Sequence, residues 1–240
     1  MDLYAIIVGV GASAGLAWVA LRAPRAPNQQ AVSWVTAGLW LLLGTLAGAR
    51  AAFVAVNWSY FAAHGLEAPQ IWLGGLFWPG AMMGAILTLL ALRLFHRIPA
   101  AFLSQGLLPL ALPVIVASWL GCWQAGCAYG QPAPGAWWAL PAPDEWGEWA
   151  LRWPLQPGGA VLTLVWFALV ARIDLRLQRP ALAASLALLG LGLLLLGLSL
   201  LRADHLPAFR GLELDTWAAY GVILLSVVGG LFSILRPKLY

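Results

Sequence analysis

Apolar residues fall into seven long runs, at roughly 3–21, 33–55, 73–95, 100–120, 158–172, 181–201 and 216–235. The runs are continuous rather than alternating, so they read as helices and not as the strands of a barrel. About twenty helical residues cross a bilayer's hydrocarbon core. The pattern therefore predicts an all-α polytopic membrane protein with seven transmembrane helices. No internal repeat interrupts it, and residues 1–240 read as a single seven-helix membrane domain. The stretch 119–157 is too rich in Trp, Pro and Gly to span. It is expected to lie at the outer interface as a short helix or lid, with Asp144, Glu145 and Glu148 facing water.

Charge sets the orientation. If the N-terminus is outside, the inner loops hold Arg22, Arg25, Arg93, Arg97, Arg172, Arg176, Arg179, Arg236 and Lys238, nine of the thirteen Lys and Arg. Basic residues mark the cytoplasmic side, so the N-terminus is expected outside and the C-terminus in the cytoplasm. About ten of the fifteen tryptophans fall near the outer face, where indole rings favour the headgroup layer.

Composition narrows the class. Of 240 residues 62% are hydrophobic and only 9% charged, and the mean hydropathy is +0.84. A soluble surface needs about 25% charged residues, so a water-soluble globular protein is excluded. The net charge of +4 comes from basic residues beside apolar runs and does not suggest nucleic acid. His64, His96 and His205 are scattered, so no metal site is expected, and no cofactor either.

A few residues carry candidate chemistry. Arg50 interrupts an apolar run, and a mid-span charge costs ~2.5–3.5 kcal/mol on insertion scales. It either faces the interior and binds an anion or extends to the outer interface near Asn57. Gly80 and Gly84 have the spacing of close helix packing. Cys122 and Cys127 can form a disulfide or remain small buried thiols. Arg50, Arg152 and Arg202 on one side can form a phosphate site, or can be three interfacial arginines.

The order of these motifs resembles the prolipoprotein diacylglyceryl transferase family over almost the whole chain. Tyr4 stands where the family has the Tyr of a Tyr-Gly pair, with Ala5 in place of Gly. Gly48-Ala49-Arg50 with Asn57, Trp72-Leu73-Gly74-Gly75 with Gly80 and Gly84, and Gly121, Gly126, Tyr129 and Gly130 match family segments. Arg152, Pro154 and Gln156 match its Arg-His-Pro-x-Gln, and Arg202 matches the Arg closing its sixth helix.

The family's signature Gly-Arg-x-Gly-Asn-x-x-Asn-Gly-Glu reads here Ser118-Trp119-Leu120-Gly121-Cys122-Trp123-Gln124-Ala125-Gly126-Cys127. The His after its Gly-Gly turn aligns with Pro79, and the His of Arg-His-Pro is Trp153.

The resemblance implies a multi-pass protein of the bacterial plasma membrane that moves a diacylglyceryl group from phosphatidylglycerol, or another anionic phospholipid, to the cysteine thiol of a lipobox preprotein. It implies catalytic roles for Tyr4 and Arg202 and a basic residue that takes the thiol proton; His205, three residues beyond Arg202, is the candidate by its position in the chain. Phosphate or lipid contacts are implied for Arg50, Asn57, Arg152 and Gln156. Replacement of polar signature residues keeps an alternative open, in which the same scaffold is a non-catalytic lipid-binding subunit of a larger membrane complex. A transporter has less support, because no paired intramembrane acid is visible and no two halves repeat.

Overall fold

The computed structural model describes residues 3–22, 29–95, 100–177, 179–204 and 206–235. Asp2, Arg25, His96, Arg97, His205, Arg236 and Lys238, which carry part of the charge pattern and one site expectation, lie outside the described residues. Eight α-helices are arranged in order: α1 (Leu3–Arg22), α2 (Gln29–Val56), the single turn α3 (Trp58–Phe61), α4 (Trp78–Phe95), α5 (Ala100–Ala125), α6 (Leu155–Leu177), α7 (Pro180–Ser199) and α8 (Leu214–Leu235). All except α3 are long and apolar enough to cross a membrane, which makes seven candidate spans among the described residues. Two short hairpins complete the fold: β1 (Leu140–Pro143) with β2 (Trp149–Arg152), and β3 (Ala208–Phe209) with β4 (Leu212–Glu213).

The third span starts at Trp78, not near residue 73. Gly74 and Gly75 both have positive φ (82° and 74°), a backbone turn that side chains with a Cβ resist. The stretch 119–157 also differs from expectation. Helix α5 runs on to Ala125, and an antiparallel hairpin stands in place of an interfacial helix. Pro132, Pro134, Pro141 and Pro143 deny helix its backbone donors. Asp144 does not face water. It is 7% exposed, while Glu145 and Glu148 are exposed.

The chain divides into two compact units, one of Leu16–Leu110 and the other of the N-terminal stretch up to Gly15 with residues from Ala111 onward. In the first, α2 packs on α4. A methyl group at Gly48 would fall 2.4 Å from the Gly80 carbonyl oxygen, and one at Gly84 would fall 2.1 Å from that of Gly44. The small-residue spacing is thus a backbone-to-backbone contact.

In the second unit α6 packs on α7 and α7 on α8. Trp119, Ala128, Leu155, Ala160 and Leu198 form a buried cluster, with Cys122, Trp153 and Leu201 against it. The Trp119 ring lies where a Cβ on Gly159 would fall, 2.6 Å away.

Candidate functional site

Three backbone segments pair in the second unit and carry most of the sequence-predicted site residues. Gly130 bridges Arg202, and Pro132 bridges Arg152. Gln131 N–H donates to Leu201 O (3.0 Å), Ala203 N–H to Tyr129 O (3.0 Å) and Trp153 N–H to Gln131 O (3.0 Å). Residues 129–133 thus join the segment after α7 to β2, which in turn pairs with β1. Positions 152 and 202, fifty apart in the chain, are held by one strip of strand.

The end of α5 feeds this strip. Cys122 and Cys127 are disulfide-bonded, with Cα atoms 4.7 Å apart. Cys127 N–H donates to Cys122 O (3.1 Å). Gly126 has φ +69°, and a Cβ there would fall 2.1 Å from Asp144 O, so only glycine lets the chain leave the helix here against the hairpin. The Tyr4 ring packs on Gly121, where an added Cβ would come within 2.8 Å of it.

Arg152 is 7% exposed and ion-pairs with Asp144 at 3.0 Å. Its guanidinium lies over the Tyr129 ring, 4.7 Å from the centroid. Asp144 also accepts from the N–H groups of Trp146 (3.0 Å) and Glu148 (2.9 Å), so the carboxylate that neutralises Arg152 also shapes the hairpin turn. Among the described residues Arg152 Nε has no hydrogen-bond partner, nor has Gln156 Oε1. Gln156 is fully buried and donates through Nε2 to Cys127 O (3.0 Å). Burial and then the charges of Glu145, Asp204 and Asp144 push the Tyr129 phenol above its usual pKa, while Arg152 pulls it the other way.

Arg202 is held by two carboxylates. Nε and Nη2 donate to the two oxygens of Asp204, and Nη1 donates to Asp215 (2.9 Å). Burial works against its charge, but the Asp204 hydrogen bond and the charges of Asp204, Asp215 and Glu213 outweigh burial and raise its pKa. Asp204 additionally accepts the Ala128 N–H (3.2 Å). The triad of Arg202, Asp204 and Asp215 therefore sums to one negative charge. Three of the five guanidinium N–H donors are thereby taken.

Arg50 and Asn57 belong to the other unit. Arg50 is 6% exposed. Its donors go to four backbone carbonyls of the loop before α4: Glu67 (2.8 Å), Ala68 (2.7 Å), Gly74 and Gly75 (3.1 Å). Phe53 and Phe61 flank the guanidinium at 5.6 and 5.3 Å. Neither orientation expected from the sequence, toward an anion or toward headgroups, anticipates this carbonyl cage. Asn57 ends α2, its Nδ2 donating to Phe53 O (2.9 Å). His64 stacks on Tyr60 at 4.3 Å, and Tyr60 donates to Glu67 (2.7 Å). That bond, burial and the Glu67 charge raise the Tyr60 pKa.

The sequence pointed to the arginines but not to the partners that neutralise them. Asp144 sits in Asp-Glu-Trp-Gly-Glu, a turn composition that put all its acids at the surface. Asp215 lies in the first turn of α8, where an acid is ordinary.

Seven helices among the described residues, each long and apolar enough to cross a bilayer, define a multi-pass membrane protein. The family model for prolipoprotein diacylglyceryl transferase matches residues 1–232, and the chain belongs to that family. It is thereby a multi-pass protein of the bacterial inner membrane. Among its relatives are proteins named phosphatidylglycerol–prolipoprotein diacylglyceryl transferase. The one from Rhodospirillum rubrum is 31% identical over 161 residues, 65% of this chain and 58% of the relative. That of Rhodospirillum centenum is 33% identical over 135 residues (55% and 48%). That of Bacillus licheniformis is 36% identical over 85 residues (35% and 31%). The matched stretches thus span 31% to 58% of these relatives' length.

Proposed function

We propose that this protein is a divergent diacylglyceryl transferase that binds phosphatidylglycerol, or a similar anionic phospholipid, at the outer face of the membrane. The proposed acceptor is the cysteine thiol of a lipobox preprotein; the relatives' name supplies phosphatidylglycerol and prolipoprotein. One observation carries the reading. Tyr129, Arg152 and Arg202, which match three separate family motifs, meet on one strand-paired strip at the ends of membrane helices.

In the reaction the acceptor sulfur forms a bond to the terminal glyceryl carbon. The bond from that carbon to the phosphate oxygen breaks, and glycerol phosphate leaves with the electron pair. The thiol proton passes to a base, for which His205, three residues beyond Arg202, is the proposed group. Arg152 keeps an unpartnered Nε–H and is the arginine readiest to meet a phosphate oxygen. Arg202 contributes by exchanging an aspartate for the phosphate. Tyr4, beside Gly121, lines the same end of α5. Arg50 acts through the loop that it holds, and Asn57 through the end of α2.

A second reading has a specific observation in its favour. Trp119 fills the signature arginine's position with apolar core, and the disulfide occupies the positions of a signature Asn and of its Glu. On that reading the chain binds lipid without transferring it, as a subunit of a larger membrane assembly. Expression in a bacterium depleted of its own diacylglyceryl transferase separates the two. Lipid-modified prolipoprotein should appear at a low rate, and fail to appear with Arg202→Ala. Unmodified prolipoprotein, with the chain present in the membrane at normal level, would favour the second reading.

A further inference from the structure

The β1–β2 hairpin has two unlike faces. In its register Pro141 opposes Leu151 and Pro143 opposes Trp149 on one side, while Leu140 opposes Arg152 and Ala142 opposes Ala150 on the other. The second side turns Arg152 and Ala142 inward, at 7% and 2% exposure. The first side is entirely apolar, yet Trp149 is 64% and Leu151 47% exposed. Pro141 is exposed as well, and of this side only Pro143 is buried. A hairpin facing water puts polar residues on its open side, so this face calls for an apolar contact.

We infer that this face rests on the lipid surface of the same membrane, at the boundary between headgroups and acyl chains. Continuity supports lipid as the occupant. The hairpin is tethered between two spans, α5 ending at Ala125 and α6 beginning at Leu155. Those spans themselves expose Leu120, Val161 and Leu162, apolar surface that a bilayer would cover. Trp137 is also exposed, and indole, with one polar N–H on an apolar ring, favours this depth. The exposed Glu145 and Glu148 at the turn keep the tip in water, so the hairpin lies along the surface instead of inserting end-on. The inward face then holds the Asp144–Arg152 pair at the level of the phosphates. The inference does not depend on transfer activity.

The test uses the full chain in nanodiscs of phosphatidylglycerol and phosphatidylcholine. Both native cysteines are in the disulfide, so one introduced cysteine can carry an environment-sensitive fluorophore. Leu151→Cys, Trp149→Cys and the tip control Glu145→Cys are each labelled. Shallow nitroxide lipids should quench the first two by roughly twofold or more, with blue-shifted emission, and leave the tip label nearly unchanged. Aqueous iodide should do the reverse. Either face variant suffices if the other fails to fold. Two results would overturn the inference: iodide quenching at 149 and 151 equal to that at 145, or shielding of both from iodide and from nitroxide lipid, which marks a protein contact instead.

Discussion

Arg152 donates to Asp144 across the β1–β2 hairpin at 3.0 Å, with both side chains more than nine-tenths buried. The pair sets the hairpin against Tyr129 and fixes how much positive charge the strip presents. Removing one partner strands the other's charge in a buried place, which costs about 3–5 kcal/mol. Asp144→Ala should therefore lower the thermal unfolding midpoint in nanodiscs sharply. Asp144→Leu combined with Arg152→Met should recover much of the loss. Unfolding midpoints of the three proteins check this.

The Arg50 cage makes a different prediction. Four carbonyls from Glu67, Ala68, Gly74 and Gly75 converge on one guanidinium, and hydrogen bonds to a charged group are worth about 1.5–3 kcal/mol each. Arg50→Ala should loosen residues 57–77 and speed protease cleavage there several-fold. Arg50→Lys should not rescue it, because an ammonium lacks the planar fork of donors. Limited proteolysis with mass spectrometry of the fragments gives the result.

Helices α2 and α4 touch through backbone. Gly84→Val puts side-chain atoms where the Gly44 carbonyl stands, and overpacking typically costs about 1–3 kcal/mol. The α2–α4 contact should open, seen as faster hydrogen exchange in both helices. Gly197→Ala, where an added Cβ meets nothing within 4 Å, is the matched control and should leave exchange unchanged.

Glu213 gives the fold a pH dependence. Burial and then the Asp215 charge raise its pKa, with Arg202 opposing them. A raised carboxyl pKa means that the folded state holds its proton more tightly than the unfolded one. The stabilisation is complete below the ordinary value of 4.5 and is lost as pH rises through the folded value. Glu213→Gln should remove that slope. Unfolding midpoints from about pH 4 to about pH 7 should fall for the native chain and stay flatter for the variant.

The spans were legible because each is a continuous apolar run bounded by Arg, Pro or Gly. The third span's start was misplaced because Trp72 and Leu73 are as apolar as the helix beyond them; only the double glycine marks the break. The hairpin was hidden because β1 is Leu-Pro-Ala-Pro, a sequence without strand propensity. It pairs because Asp144 closes the turn and Arg152 anchors its far end. Arg50, Arg152 and Arg202 stood out as costly charges. Their partners did not, since backbone carbonyls are invisible to composition and Asp144 lies eight residues from the arginine it meets. What a buried arginine binds depends on long-range pairing, and the strip formed by residues 129–133 is of that kind.

Transfer itself is the decisive measurement. The full chain is reconstituted with phosphatidylglycerol and a lipobox peptide, and the thioether-linked diacylglyceryl product is monitored by mass. The strip holds Arg202 against two aspartates, so product should form slowly, and loss of a general base typically costs about 10²–10⁴-fold more. It should fall further with His205→Ala and vanish with Arg202→Ala. No product above a protein-free control, from a chain whose disulfide is intact and which still retains phosphatidylglycerol, would contradict the transferase reading.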